Sequence, residues 1–183
     1  SSDEILSVAE TSDGGVIAGG SFKSSSIDLG NGVSLSNKGD LDGMIIKYSS
    51  SGECECVKAI GGNQQDYIKV VSETSDGGMI VVGNFYSSSI DLGNGVTLSR
   101  KGYSTEMIIK YNAEGECEWT KEIGGNINSV SETSDGGYVA GGNYISNINL
   151  GNGVILSNKN NQDGMIIKYN AEGECEWAKA IGG

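Results

Sequence analysis

The sequence has no histidine and no proline, only two tryptophans and two phenylalanines, and half as many basic residues as acidic ones, 12 against 24. Without histidine there is no imidazole to act as a general base, which removes the Ser-His-Asp and Cys-His arrangements and the commonest nitrogen ligand for zinc. Without proline the turns fall to glycine, asparagine and aspartate, and 30 glycines are present to make them. A formal charge of −12 repels phosphate backbones and anionic headgroups, so nucleic acid is not expected as a partner. No apolar run approaches the length of a membrane span, and membrane insertion is not expected. The first residues, Ser1 to Leu6, are neither basic nor apolar enough for a signal peptide. The chain begins and ends at repeat borders, which suggests a piece of a longer protein.

What is present is repetition. Three landmarks recur in fixed order: Ser12-Asp13-Gly14-Gly15, Leu29-Gly30-Asn31-Gly32-Val33 and Met44-Ile45-Ile46-Lys47-Tyr48 return at Ser75, Leu92 and Met107 and again at Ser134, Leu150 and Met165. The spacing is 63 residues, then 58 or 59. Each copy closes on Ile-Gly-Gly, at Ile60, Ile123 and Ile181, which divides the chain into units 1–62, 63–125 and 126–183. Such a period is the signature of a propeller, a solenoid or another array.

Within a unit the apolar pattern has period two, broken by turn residues, so each segment reads as a strand. In the second unit four strands are expected at about Tyr67 to Thr74, Met79 to Tyr86, Met107 to Asn112 and Cys117 to Ile123. The Asp-Gly-Gly and Glu-Gly pairs turn the first and last hairpins, and the Leu-Gly-Asn-Gly-Val segment reads as a small extra hairpin projecting from the unit. The third unit lacks four residues before its Ser-Asp-Gly-Gly turn and one after it. A four-stranded unit apolar on both faces needs a neighbour on each to form a core. The expected fold is all-β, with three tandem four-stranded antiparallel blades of the β-propeller type.

The succession Thr133-Ser134-Asp135-Gly136-Gly137-Tyr138, then Asp163-Gly164-Met165-Ile166-Ile167-Lys168-Tyr169, then Gly173-Glu174-Cys175-Glu176-Trp177 and Ile181-Gly182-Gly183, resembles the bacterial SBBP-type β-propeller repeats, three times over the whole chain. The resemblance implies propeller blades, an extracellular or cell-surface setting and a scaffolding or binding role, with no catalytic residues. Two departures stand out: cysteines at Cys54, Cys117 and Cys175 where the family has an apolar residue, and the inserted hairpin. Three blades are also too few for a ring of the usual four to eight. Further blades in a longer parent chain, or a homodimer completing six blades about a two-fold axis, are the two expected ways to close it. The alternative is a self-contained β-trefoil or β-prism, a carbohydrate-binding, lectin-like module.

Residues copied in every unit are expected to be structural. Asp13, Asp76 and Asp135 sit in Asp-Gly-Gly turns and are expected to accept from backbone N–H groups. The oxygen donors around Asp28 and Asp91 resemble calcium loops weakly, lacking a carboxylate ladder, and the third unit has Asn149 there. Cys54, Cys117, Cys175, Trp119 and Trp177 alternate with glutamates along the last strand, so cysteine and tryptophan are expected to share its buried face as free thiols and apolar bulk. Lys47, Lys110 and Lys168, together with Glu10, Glu73 and Glu132, are expected to form ion pairs within or between units rather than a channel lining. No metal or other cofactor is expected.

No nucleophile has a visible activator, and the paired glutamates repeat in every unit, whereas glycoside hydrolysis needs two distinct carboxyl environments. The chain is therefore not expected to be an enzyme. Ligand contacts are sought where the copies differ: at Lys23, Tyr86 and Ile145, at Asp40-Leu41, Tyr103-Ser104 and Asn161-Gln162, and at Gln64-Gln65. Tyr86, Tyr103 and Tyr144 are the candidates to stack on a sugar face or pack against a protein partner.

Overall fold

The computed structural model describes residues 2–100, 106–159 and 161–182. In unit 1, β1 (Asp3–Glu10) and β2 (Val16–Phe22) are followed by a short hairpin, β3 (Ser26–Asp28) and β4 (Ser34–Ser36), and then by β5 (Asp42–Tyr48) and β6 (Cys54–Ile60). Unit 2 repeats the order with β7 (Asp66–Glu73), β8 (Met79–Phe85), β9 (Ser89–Gly93), β10 (Val96–Ser99), β11 (Glu106–Tyr111) and β12 (Cys117–Ile123). Unit 3 does so with β13 (Asn126–Glu132), β14 (Tyr138–Tyr144), β15 (Ile148–Asn149), β16 (Ile155–Leu156), β17 (Asp163–Tyr169) and β18 (Cys175–Ile181). The long strands of each unit form one four-stranded antiparallel sheet, β1-β2-β5-β6, β7-β8-β11-β12 and β13-β14-β17-β18, and each short hairpin pairs only with itself.

Local chemistry sets the turns. In the first hairpin of unit 1 the N–H of Thr11 donates to the carbonyl of Gly15, while Asp13 Oδ1 accepts from the N–H of Gly15 at 3.1 Å and from the Thr11 hydroxyl. Gly14 takes a φ of +80°, which an L side chain resists. In the inserted hairpins Asn31, Asn94 and Asn152 sit at φ near +50° between glycines, and Asp28, Asp91 and Asn149 each accept from the N–H two residues on. An acceptor oxygen is all that this last position requires, which accounts for asparagine replacing aspartate in unit 3.

The cores lie between the sheets. Ile17, Ile45 and Ile60 of unit 1 join Ile68, Val71, Met79 and Met107 of unit 2 in one buried cluster. Ile80, Val82, Ile108 and Ile123 of unit 2 join Ile127, Val130, Tyr138 and Met165 of unit 3 in a second. Alternate residues of one strand thus face opposite neighbours, which is why both phases of the period-two pattern are apolar. A third, smaller cluster covers the remaining face of unit 1: Phe22, Leu35, Met44 and Ile46, roofed by Ile27 and Leu29 of the inserted hairpin. The first strand of each unit makes the main contact with its predecessor, β7 against β1 and β2, and β13 against β7 and β8.

Two expectations need correction. Cysteine and tryptophan do not share a face of the last strand. A bulge between the residues opposite Lys110 and Tyr111 pairs Trp119 with Lys110 and Cys117 with Tyr111, and the same shift recurs in units 1 and 3. The extra residue breaks the period-two count. Cys117 therefore packs in the core between units 1 and 2, and Trp119 in the core between units 2 and 3. Tyr144, expected as a ligand contact, is 1 % exposed, because it falls at the inward position held by Phe22 and Phe85 in the other units.

Candidate functional site

The variable positions of units 1 and 2 converge at one end of their junction. Asp40 precedes β5, Asn63, Gln64 and Gln65 form the linker between β6 and β7, and Tyr86 follows β8; together they line an open cavity of about 310 Å³. The linker is held from beneath by Asp66, whose side chain is fully buried. Its Oδ1 accepts from the N–H groups of Tyr86 and Ser87, and its Oδ2 accepts from the Ser87 hydroxyl at 2.6 Å and the N–H of Gly62 at 2.9 Å. The Ser87 hydroxyl in turn accepts from the N–H of Gln64. Leu41 and Gln65 form a parallel bridge, with the N–H of Asp66 donating to the Leu41 carbonyl at 2.7 Å. A short linker that would otherwise sample many conformations is pinned along its length.

The lining is polar and already balanced in charge. Asp40 accepts from Lys23 at 2.6 Å and from the Gln65 amide at 3.0 Å, and these bonds hold its carboxyl below the usual range. Among the described residues the side-chain amides of Asn63 and Gln64 make no hydrogen bond, so their donors and acceptors face outward unspent. Tyr86 is 39 % exposed and lies 6.5 Å from Tyr67, ring centre to ring centre. Burial, and then the neighbouring Tyr86, push Tyr67 up to about 12. The arrangement offers amide donors and acceptors beside a half-exposed aromatic ring, with one carboxylate whose charge is met by a lysine.

The remaining singled-out residues fall into structural positions. Asp76 and Asp135 repeat the turn of Asp13, and all three also receive a lysine: Lys47 reaches Asp13 and Glu55 at 3.5 Å, Lys110 reaches Asp76 at 2.7 Å and Glu118 at 3.0 Å, and Lys168 reaches Asp135 and Glu176 at 3.0 and 3.3 Å. Glu73 and Glu132 take another role, bonding to the turn serines of the preceding unit. Cys117 and Cys175 are buried, Cys54 and Cys56 are half-buried, and all four are free. Burial raises the thiols of Cys54, Cys117 and Cys175 and makes them poor nucleophiles. Trp119 lies edge-on to Tyr138 at 5.4 Å and donates to the Ala171 carbonyl, while Trp177 is 43 % exposed. Tyr103 lies outside the described residues.

The opposite end of the junction between units 2 and 3 has a cleft of about 550 Å³ lined by Asp76, Lys110, Glu118, Trp119 and Glu132. The carboxylates of Asp76, Glu118 and Glu132 are spent on Lys110 and Ser75, and the indole on Ala171, so most of its polar groups serve packing. Among the described residues no group of three or more carboxylates or cysteines is placed to hold a metal ion. The residues missed by sequence reasoning are Asp66 and the buried pair Lys69–Glu106, 2.6 Å apart. A signal existed for each. Asp66 and Tyr67 belong to the four residues that unit 3 lacks, and Glu106 stands where units 1 and 3 have Gly43 and Gly164. Compared with models of known protein families and with curated proteins, the chain has no significant match.

Proposed function

We propose that the chain is a non-catalytic β-repeat scaffold of propeller type that binds a neutral, hydroxyl-rich ligand, a glycan, in the cavity between units 1 and 2. The cavity built from Asp40, Asn63, Gln64, Gln65 and Tyr86 carries this reading. Vicinal hydroxyls suit carboxamides that donate and accept at once, and a sugar face suits a half-exposed tyrosine. With Asp40 already facing Lys23, no net charge is left to select an ion. Consecutive meanders with cores between them support stacked blades over a trefoil or prism, whose strands would share a common core. The resemblance to bacterial propeller repeats adds a secreted or cell-surface setting, in which glycans and surface proteins are the available partners.

A glycan array followed by calorimetry on the best binder tests the reading. A glycan whose binding falls at least tenfold in Tyr86→Ala and in Gln64→Ala, with melting temperature unchanged, supports it. Glycan binding that survives both substitutions moves the site elsewhere, and an array without a binder leaves a protein-only scaffold.

A further inference from the structure

The two end faces of the chain are unlike and complementary. At both internal junctions a glutamate at the end of a first strand clamps the turn serine of the preceding unit. Glu73 accepts from the N–H of Ser12 at 2.7 Å and from its hydroxyl at 3.3 Å, and Glu132 accepts from the N–H of Ser75 at 2.6 Å and from its hydroxyl at 2.8 Å. The series has one glutamate and one serine left over. Glu10 on unit 1 and Ser134 on unit 3 are both exposed, and neither side chain makes a hydrogen bond among the described residues.

The apolar surfaces tell the same story. Ile68 and Ile127 are 0 % exposed and Val71 and Val130 are 4 %, because the preceding unit covers them; their counterparts Ile5 and Val8 on unit 1 are 48 % and 67 % exposed. Val16 is 38 % exposed where Met79 and Tyr138 are buried. On the other end, Ile60 and Ile123 are 2 % exposed under the following unit, whereas Ile181 is 59 % exposed and Trp177 stands free of the contacts that hold Trp119. A Cβ placed on Gly19 would meet Val71 and Ile68 of the next unit at 2.6 and 2.8 Å, and one placed on the equivalent Gly141 meets nothing within 4 Å. Each face thus presents what the other is built to receive.

We propose that a second copy of this chain docks head to tail, with its unit 1 face on the unit 3 face of the first. Glu10 of one copy clamps Ser134 of the other, and Ile5, Val8 and Val16 cover Trp177 and Ile181. Made twice, the contact closes two chains into a ring of six sheets about a two-fold axis. The occupant is a second copy, because the exposed groups match in kind and order the contacts already made at both internal junctions. This inference is independent of the glycan cavity, which lies at the junction of units 1 and 2.

Light scattering across a concentration series reads the result. The wild type is expected at twice the mass of one chain. Trp177→Asp, Glu10→Lys and Ser134→Glu each weaken the dimer at least tenfold by burying or opposing a charge at the contact. Glu10→Lys combined with Ser134→Glu places opposite charges across the contact and restores dimerisation. Circular dichroism on the single variants shows an intact β fold, and the double variant guards against folding failure as the cause. A single-chain mass for the wild type at all concentrations overturns the proposal, and so does a dimer that all three single substitutions leave unchanged.

Discussion

The two internal junctions do the same job with different chemistry. Between units 1 and 2 the linker is long and polar, and the buried carboxylate of Asp66 gathers it through four hydrogen bonds. Between units 2 and 3 the residues corresponding to Gln64, Gln65, Asp66 and Tyr67 are absent. There the carboxylate comes from the neighbouring strand: Glu106 accepts from the N–H of Ile127 at 2.7 Å and meets Lys69, which also donates to Asn126. At the positions of this pair unit 1 carries Leu6 with Gly43, and unit 3 carries Asn128 with Gly164. The junction with the shorter linker is the one that carries the ion pair of Lys69 with the buried Glu106. A junction needs one buried acceptor for its backbone donors, wherever in the sequence that acceptor is placed. The deletion also changes what the surface offers, since the corresponding cavity in unit 3 sets Gly124, Gly125 and the exposed Ile145 beside the amides of Asn126 and Asn143, with neither a glutamine nor a carboxylate in its lining.

The largest test of this comparison is Glu106→Ala. It strands Lys69 and the N–H of Ile127, so a loss of about 3–5 kcal/mol in denaturant unfolding is expected. Replacing both partners as in unit 1, with Lys69→Leu and Glu106→Gly, is expected to recover part of that loss; no recovery would mean that the pair is not the junction's acceptor. Asp66→Asn comes next, at about 2–3 kcal/mol, because the amide keeps one acceptor oxygen and loses the charge-assisted bonds. If it proves neutral, the first junction does not depend on its hub.

Acid titration separates the junctions further. Lys110 is nearly buried over Asp76, whereas Lys47 is partly exposed and 3.5 Å from Asp13. Bonds to Lys110, Thr74 and Gly78 outweigh the opposing effect of burial and lower Asp76 from 3.8 to about 2. A depressed acid stabilises the fold above its unfolded pKa, so its contribution is complete above about 4 and is lost as pH falls toward 2. Asp76→Asn is expected to flatten the stability curve in that window more than Asp13→Asn does; equal effects would remove the distinction. Smallest of all, Tyr86→Ala and Gln64→Ala are expected to change stability by no more than about 0.5 kcal/mol while weakening ligand binding at least about tenfold, read by melting and calorimetry side by side.

Much of the frame was legible from residues alone. The meander of four strands and the inserted Leu-Gly-Asn-Gly-Val hairpin follow from periodicity and turn chemistry, which act over a few residues. Tyr86, Gln64 and Asp40 stand out in the sequence because the copies differ there, and the structure brings them to one cavity. Tyr144 is no contact because its phase along the strand, shared with Phe22 and Phe85, points it inward. Trp119 and Cys117 lie on opposite faces because of a bulge, which leaves no mark in a period-two pattern. The lysines pair as expected, but with turn aspartates and last-strand glutamates, since the first-strand glutamates are engaged across the junctions.

The sequence by itself determined that this protein is built of three like β units, with glycine and asparagine turns and no imidazole chemistry, because composition and local backbone preference are properties of short segments. Tertiary structure alone decided which carboxylate serves each junction, which face each side chain takes after a bulge, and which apolar residues of the two outer faces are left exposed. Those depend on groups that lie far apart in the chain and meet only when one sheet packs on the next.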